Sequence, residues 1–475
     1  MMSDYKRLHP LAILFNVFNL FKSSFYFLFT IIVLSIGDGF ILYTLLGLSV
    51  LTIVFAVIGF LIWRRFEYSV SSDQIHIKQG LLIRKDRYIS KHRIQSIDLT
   101  QSIFHRPLGL TRVDVETAGS DKKVDAALSA VQLSEGKWIQ NVMKSRANVG
   151  QDASIDHHES VQRPNRNITN KELFIAGSTS GSVGVILGLI GLLFSQIENI
   201  IPEKFYSMTT TWFLSQAIET IILIALVIVV LLWLLGILGT FIKYGQFQIT
   251  RYDNELFITR GLLEKKQMTI PLKRIQAVGI EEGLTRQPFG LATIYVVIAG
   301  GEIGQTADAH TLLFPIIRKS KVQNFLNEIL LEYNHFPSDM VNVPKRSIPY
   351  YMVRVSILPV ILFVVSYIFY PQLLWMFFII FSIAWLLGIA NYRNSSYGIN
   401  GRYLAIQLRR LSKETVLVPR RRVQSIENKQ HVLHRKQALG QVIVSLLSKQ
   451  SGSHLTVKEL EQDDINKMLD WLSKY

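Results

Sequence analysis

The sequence predicts a polytopic membrane protein in which an apolar segment and a small β-rich module are written three times. The first observation is a repeated motif: residues 91–97 (KHRIQSI) return as residues 272–278 (LKRIQAV) and residues 420–426 (RRRVQSI). The second is that a long apolar stretch precedes each copy. The third is composition, because 49% hydrophobic residues and a mean hydropathy of +0.27 are high for a soluble protein. A repeat of this kind defines the architecture before any single motif is interpreted.

The sequence around the motif repeats as well. Thirteen residues before the motif arginines Arg93, Arg274 and Arg422 lie Gly80, Gly261 and Arg409. A bend ending in Gly-Leu or Gly-Gln follows each motif, and the third bend lacks proline and is longer. The third copy therefore departs from the other two.

Composition limits the class of protein. A length of 475 residues suggests about three domains. With 51 Lys and Arg against 35 Asp and Glu, the net charge is +16, which first suggests contact with an anionic membrane surface and only weakly a nucleic acid. The chain has no cysteine, which excludes disulfides and thiolate chemistry.

The first membrane hairpin is predicted over residues 1–65. Two interpretations compete for residues 11–36, which contain only Lys22 as a charge. Either residues 11–21 form an interfacial helix and the crossing starts near Lys22, which we favour, or the whole stretch is one tilted helix. Residues 40–63 carry no charge over 24 residues and are long enough to cross a core of about 30 Å. We read the N-terminus as an anchor and not as a cleaved signal.

Two further hairpins are predicted over residues 171–245 and 336–395, which gives six crossings. The second begins with a stretch rich in Gly and Ser, and small residues let helices approach closely in a membrane. In the third, Arg354 is predicted to snorkel to the interface as Lys22 does. Lys and Arg flank the hairpins on one side, while the connecting turns have almost none, so both termini and all modules are predicted to be cytoplasmic.

The three modules are predicted at residues 66–147, 246–335 and 396–475, with a polar linker at 148–170. Short period-two runs such as Tyr68-Ser69-Val70 and Ile75-His76-Ile77 predict antiparallel strands. Each module ends in apolar residues at helical spacing, which predict a closing helix. These residues are Trp138, Ile139, Val142 and Met143, then Val322, Phe325, Leu326, Ile329 and Leu330, then Met468, Leu469, Trp471 and Leu472.

A membrane hairpin followed by a sheet module with the Arg-Ile-Gln-Ser-Ile core and a Pro-Leu-Gly-Leu bend resembles the bacterial pleckstrin-homology-like (PH-like) membrane proteins. The resemblance covers the chain outside the linker. It implies a multi-pass α-helical membrane protein with three cytoplasmic PH-like β-sandwich or barrel modules, each a bent antiparallel sheet of about seven strands closed by a C-terminal helix. It also implies a plasma-membrane location, a smaller single-module family member as partner, and a role in cell-envelope stress or antimicrobial tolerance.

The repeated Arg and Gln residues are candidates for binding. At a strand edge they can satisfy backbone carbonyls, which is a structural role, or they can form an anion or peptide site, since arginine offers a planar fork to phosphate and carboxylate. Between residues 401 and 436, ten Lys or Arg against two Glu give +8, so the third module is the better lipid candidate, although a solvated flank explains the same charges. The candidate lipid or partner residues are Arg93, Gln95, Arg274, Gln276, Arg409, Arg410, Arg420, Arg421, Arg422 and Gln424.

Motifs for catalysis are weak. His157-His158-Glu159 has metal-ligand residue types but lies in the linker, and Ser178-Thr179-Ser180-Gly181 lacks the spacing of a serine nucleophile. We therefore predict no enzyme activity, metal or cofactor, and no nucleic-acid partner. The sequence favours a membrane-anchored binding or scaffold protein that contacts anionic lipids or a partner membrane protein and allows homo- or hetero-oligomers. The alternative is a transporter or flippase-like component with regulatory modules.

Overall fold

The computed structural model describes residues 5–37, 40–117, 126–144, 163–181, 218–299, 311–337, 339–369, 371–447 and 453–473. It divides into two compact units. Unit 1 comprises residues 1–162, 167–248 and 257–269, and unit 2 comprises residues 163–166, 249–256 and 270–475. We describe each unit by itself.

Helices occupy the predicted apolar segments, the end of each module and, at residues 432–436, the bend after the third motif. They are α1 (Ala12–Ser23), α2 (Phe25–Gly37), α3 (Ile41–Arg64), α4 (Leu133–Lys144), α5 (Asn170–Ser178), α6 (Ile218–Tyr244), α7 (Val322–Ile329), α8 (Ile348–Phe369), α9 (Leu374–Arg393), α10 (Val432–Lys436) and α11 (Gln462–Ser473).

Strands occupy the stretches outside the apolar segments, and one of them, at residues 165–167, lies in the predicted linker. They are β1 (Lys6–Arg7), β2 (Glu67–Val70), β3 (Gln74–Gln79), β4 (Lys85–Ser90), β5 (Ile94–Gln101), β6 (Leu110–Thr117), β7 (Ala126–Gln132), β8 (Asn165–Asn167), β9 (Gln248–Arg251), β10 (Glu255–Arg260), β11 (Lys265–Pro271), β12 (Ile275–Glu282), β13 (Leu291–Ile298), β14 (Thr311–Arg318), β15 (Val341–Asn342), β16 (Ser396–Asn400), β17 (Tyr403–Arg409), β18 (Lys413–Pro419), β19 (Val423–Lys429), β20 (Leu439–Leu446) and β21 (Ser453–Glu461).

In unit 1, two antiparallel sheets enclose an apolar core. The first has the order β1-β2-β3-β4. Strands β2 and β3 pair antiparallel, with Tyr68 opposite Ile77, as the period-two runs at 68–70 and 75–77 predict. In the second, β6 lies between β7 and β5, and β5 pairs on its other side with the start of β11. Side chains from β2–β7 and α4 form one core cluster, which includes the fully buried Ile139. The predicted closing helix of the first module is thus confirmed.

In unit 2, one sheet has seven strands in the order β14-β13-β12-β18-β17-β16-β15, and another has the order β19-β20-β21. The second and third closing helices are confirmed as α7 and α11. Strands from both sheets and α11 form the core of the third module. The structure describes six strands for each module, β2–β7, β9–β14 and β16–β21, where the resemblance implied about seven. Strand β12 of the second module pairs with β18 of the third, which local alternation does not predict.

Four helices in the described part of the chain are long and apolar enough to cross a membrane, at Leu42–Arg64, Ile222–Tyr244, Lys345–Phe369 and Leu374–Arg393. Helix α2 has 13 residues and spans about 20 Å, which is too short to cross alone. Most of the crossing predicted at the start of the second hairpin lies outside the described residues. The close approach predicted for its small residues is confirmed, because a Cβ on Gly177 would lie 2.8 Å from Ile237 Cα of α6.

The favoured interpretation predicted an interfacial helix at residues 11–21. Instead, α1 packs against α3. It runs antiparallel along the second half of α3, with the Phe21 and Phe55 rings 5.0 Å apart. A Cβ on Gly59 would lie 2.9 Å from Val17 Cγ2, so the two helices are in close contact. The chain bends at Ser24 between α1 and α2. Because α3 is a candidate span, these contacts do not fit an interfacial helix, and because α1 ends at Ser23 and α2 begins at Phe25, residues 11–36 are not the single tilted helix of the other interpretation either.

Candidate functional site

Each repeated motif begins with one turn of 3-10 helix, which we call the motif turn: Lys91–Arg93, Leu272–Arg274 and Arg420–Arg422. A strand leads into each motif turn from the loop that we call the tip, residues 80–84, 261–264 and 410–412. In the third module this strand is β18, whose 7 residues span about 20 Å. The motif turn and the tip therefore lie at opposite ends of the module.

Arginines of the second and third motif turns bind main-chain carbonyls. Arg274 donates from Nε and Nη2 to Ala299 O at 3.0 and 2.9 Å. Arg420 donates to Leu472 O at 2.8 Å and lies over the Trp471 ring, 5.7 Å from its centroid. These contacts hold a sheet strand or the closing helix, and they match the structural role that the sequence left open.

The other motif-turn residues differ between modules. Arg422 donates to Lys273 O at 2.6 Å. Arg421 forms an exposed ion pair with Glu332 at 2.6 Å, and Arg93 is exposed. The structure therefore does not give the three motif turns one common anion-binding arrangement.

The glutamines of the motif differ in the same way. Gln276 is 3% exposed and donates to Arg274 O at 3.1 Å. Gln95 is half-buried, and Gln424 is exposed on β19. Burial of Gln276 indicates a structural role in the second module, which the other two do not reproduce.

Arg409 ends β17 and Arg410 begins the tip of the third module, so neither lies beside Arg420–Arg422. Arg409 Nη1 donates to Gln287 Oε1 at 2.9 Å, and Arg410 is exposed. Lys413 begins β18 at the same end, where burial and then Lys319 lower its pKa. The basic residues predicted as one patch are thus two groups, about 20 Å apart along β18.

The strands around the tips lie beside the ends of the apolar helices that precede each module. Arg65, which follows α3, donates to Leu81 O at 3.0 Å. Leu262 N donates to Ile242 O of α6 at 2.9 Å. In the third module, Gln407 Nε2 donates to Asn394 O, just after α9, at 3.4 Å. Gly80 and Gly261 have φ values of +120° and +103°, which a left-handed turn at the tip requires, whereas Arg409 continues β17.

Large apolar side chains are exposed at the tips and at the bends that follow each motif strand. Leu82 is the extreme case, at 96% exposed. We call this set the apolar rim: Leu82, Ile83, Ile103, Phe104 and Leu108 in module 1, Leu263, Leu284 and Phe289 in module 2, and Leu411, Val432 and Leu433 in module 3. Exposed apolar residues in such number mark a contact surface for a membrane or a protein.

The bend of module 1 packs against α1. His105 stacks on Phe15 with ring centroids 4.0 Å apart, and Phe104 lies 6.2 Å from Phe18. His105 Nε2 is 2.8 Å from Ser129 O, and burial lowers the pKa of His105. A neutral imidazole therefore holds the bend to the apolar helix.

The bend of module 3 is fastened to α8 in a different way. Tyr350 OH donates to Leu433 O at 3.4 Å, and its ring meets His434 edge-on at 4.8 Å. In modules 1 and 3, the bend therefore contacts an apolar helix.

An ion pair with a fully buried carboxylate, which the sequence did not reveal, joins α8 to β21. Arg354 binds Glu459, whose side chain is fully buried and whose φ of +56° is unusual for a residue with a Cβ. His434 Nε2 lies 3.8 Å from Glu459 Oε1. A lone arginine in an apolar run was the available signal, but its partner follows 105 residues later. Arg354 is thus paired within the protein, whereas the sequence predicted that it snorkels.

The residues weighed for catalysis form no constellation in the described part of the chain. No group of three or more His, Asp or Glu there could hold a metal, and His157-His158-Glu159 lies outside the described residues. Thr179 and Ser180 donate their hydroxyls to Ile175 O and Gly177 O, at 2.7 and 2.9 Å. These contacts fit a helix end.

Comparisons with known proteins agree with the repeat. The family model "Bacterial PH domain" matches residues 23–147, 203–333 and 355–475. The UPF0699 transmembrane protein YdbT of Bacillus subtilis (strain 168) is 30% identical over 489 residues, covering 100% of this chain and 99% of that protein. No solved structure matches the chain significantly.

Proposed function

This chain belongs to the bacterial PH domain family, and on that premise we propose that it is a non-catalytic, multi-pass plasma-membrane protein whose modules bind the anionic inner leaflet through their tips and bends. Both termini face the cytoplasm. The observation that carries the proposal is the apolar rim, because the first two tips contact the end of a helix that the sequence predicts in lipid, and β17, which leads to the third tip, does the same.

The energetics favour lipid contact at the rim. Fully burying a Leu side chain is worth about 1.5–3 kcal/mol, so even partial insertion of Leu82 or Leu411 is favourable. Each Lys or Arg beside an anionic leaflet adds about 1 kcal/mol. Arg84 follows Leu82 by two residues, and Arg409 and Arg410 directly precede Leu411. Weak contacts from three tethered modules sum, because the hairpins keep the local concentration of lipid high.

The motif residues have a different part in this proposal. Arg274, Gln276, Arg420 and Arg422 hold the sheets, while the exposed Arg93, Arg421 and Gln424 and the half-buried Gln95 remain proposed contacts for a partner protein. A smaller single-module membrane protein of the family would suit such contacts. The role in cell-envelope stress is part of this proposal and depends on the family resemblance alone.

A matched pair of variants tests the lipid proposal. The chain has no cysteine, so Leu411→Cys can carry a single environment-sensitive dye. In bilayers rich in anionic lipid the dye should report an apolar environment, and Arg410→Ala should weaken that signal. Arg421→Ala removes another exposed arginine, at the other end of module 3, and should leave the signal unchanged. Equal signals in zwitterionic and anionic bilayers, with no effect of Arg410→Ala, would refute the anionic-lipid contact.

As a second candidate function, a transporter or flippase-like component is favoured by Lys22. Helix α1 runs along α3, so Lys22 lies near the level of Phe55, well inside a candidate span. Ionisable groups at that depth often serve transport. Lipid scrambling or substrate flux by the pure chain in proteoliposomes, abolished by Lys22→Leu, would favour this function over the scaffold.

A further inference from the structure

The repeats are joined by strand pairing, and two such joints lie within the chain. We call β4, β11 and β18, the strands before each motif turn, the leading edges, and β5, β12 and β19, the strands after it, the trailing edges. Trailing edge β5 pairs with leading edge β11, and trailing edge β12 pairs with leading edge β18. Each joint therefore links one repeat to the next.

The two joints have the same register. Thr100 pairs with Lys266 in the first, and Glu281 pairs with Glu414 in the second. In both cases, the residue seven positions after one motif arginine faces the residue eight positions before the next. The joint is therefore a repeated device with a fixed alignment, as a buried sheet requires.

One leading edge and one trailing edge have no outer neighbour among the described strands. Strand β4 ends the order β1-β2-β3-β4, and β19 begins the order β19-β20-β21. Side chains on these two edges are exposed at positions that are buried on the paired edges. Tyr88 of β4 is 66% exposed, while Leu417, at the same position of β18, is fully buried. Ser425 of β19 is exposed, while Ala277, at the same position of β12, is buried.

We infer that β19 of one copy of this chain pairs with β4 of a second copy, in the alignment of the two internal joints. That alignment places Lys429 opposite Lys85, Asn428 opposite Asp86, and Glu427 opposite Arg87. Each copy carries one edge of each kind, so a second copy supplies the missing half of both. The contact is head-to-tail, and it builds a ring or a row of chains in the membrane plane.

Charges on the two edges do not oppose this pairing. Charged residues commonly keep an exposed edge strand from associating. Here, however, the internal edges that do pair are charged as well, with Lys265 and Lys266 on β11 and Lys413 on β18. Glu281 faces Glu414 within a formed joint, so the like pair of Lys429 and Lys85 has a precedent in this chain.

Cross-linking between two tagged full-length chains tests the inference. One chain carries Lys85→Cys and the other Lys429→Cys, and both are co-expressed in membranes and oxidised. Facing antiparallel residues have Cα atoms about 4.5–5.5 Å apart, within the reach of a disulfide. A dimer that contains both tags is the expected main product. The offset pair Tyr88→Cys with Lys429→Cys, three residues out of alignment, should lose it.

An internal control keeps the test decisive. Glu281→Cys with Glu414→Cys in one chain occupies the same alignment and should close at monomer mass. If that pair closes and no mixed dimer forms, the inference is overturned. It is also overturned if Lys85→Cys and Lys429→Cys in one chain close only at monomer mass, or if a cross-linker on residue 429 captures a smaller single-module protein and not a second copy.

Discussion

The pair Arg354–Glu459 provides the sharpest stability prediction. The variant Arg354→Leu keeps an apolar side chain on α8 and leaves the fully buried Glu459 without its cation. Removing one partner of a buried pair costs about 3–5 kcal/mol. Because Arg354 is 40% exposed and His434 stays 3.8 Å from the carboxylate, we expect the lower end of that range, about 3 kcal/mol.

The predicted cost is local and can be measured by hydrogen exchange in lipid nanodiscs. A factor of ten in an equilibrium constant corresponds to about 1.4 kcal/mol. Losing about 3 kcal/mol should therefore make the amides of β21 exchange about 100-fold faster. The variant Arg346→Leu is the matched control, because its partner Glu461 ends the same strand but the pair is exposed on both sides. Such a surface pair is worth about 0–1 kcal/mol, so exchange should change less than about fivefold.

A second substitution tests whether the two residues act as a pair. Glu459→Gly removes the carboxylate and suits the φ of +56°. Added to Arg354→Leu, it should restore most of the protection, with a coupling of about 2 kcal/mol. If the two effects simply add, or if Arg354→Leu exchanges no faster than Arg346→Leu, then Arg354 does not stabilise the junction of α8 and β21.

Three further outcomes are expected. Arg274→Ala should cost about 1–2 kcal/mol in unfolding experiments, because two hydrogen bonds to one carbonyl are lost, while Arg93→Ala, at an exposed site, should stay within about 0.5 kcal/mol. The lowered pKa of His105 means that the folded state prefers the neutral imidazole, so stability is present above about pH 6.5 and declines as pH falls below it. Exchange at the module 1 bend, corrected for intrinsic rates, should rise on acidification, and His105→Gln should remove that rise. A thiol at His92→Cys should be blocked from membrane-impermeant reagents in intact cells and labelled after lysis; labelling in intact cells would place module 1 outside.

Local pattern predicted the elements well. In α7, Val322, Phe325, Leu326 and Ile329 recur at helical spacing, and all four are buried. In β2 and β3, alternating residues face one core, because side chains of a strand alternate between its two faces. Periodicity reports what each element buries, so helices and strands could be placed from the sequence alone.

Long-range contacts could not be predicted in this way. Pairing of β12 with β18 joins residues far apart in sequence, and no local pattern specifies an edge partner. The basic residues between 401 and 436 counted as one patch in sequence, yet β18 separates Arg410 from Arg421. Lys22 and Arg354 both looked like snorkelling cations, but neighbouring elements determine their surroundings: α1 packs along α3, and Glu459 pairs with Arg354.

The central claim is that the tips touch lipid and the motif turns do not. Single dyes at Leu82→Cys and His92→Cys lie at the two ends of β4, about 20 Å apart, on the same module. In bilayers containing brominated lipid chains, the dye at residue 82 should be strongly quenched and the dye at residue 92 should not. Equal quenching at both positions, or stronger quenching at residue 92, would contradict the account.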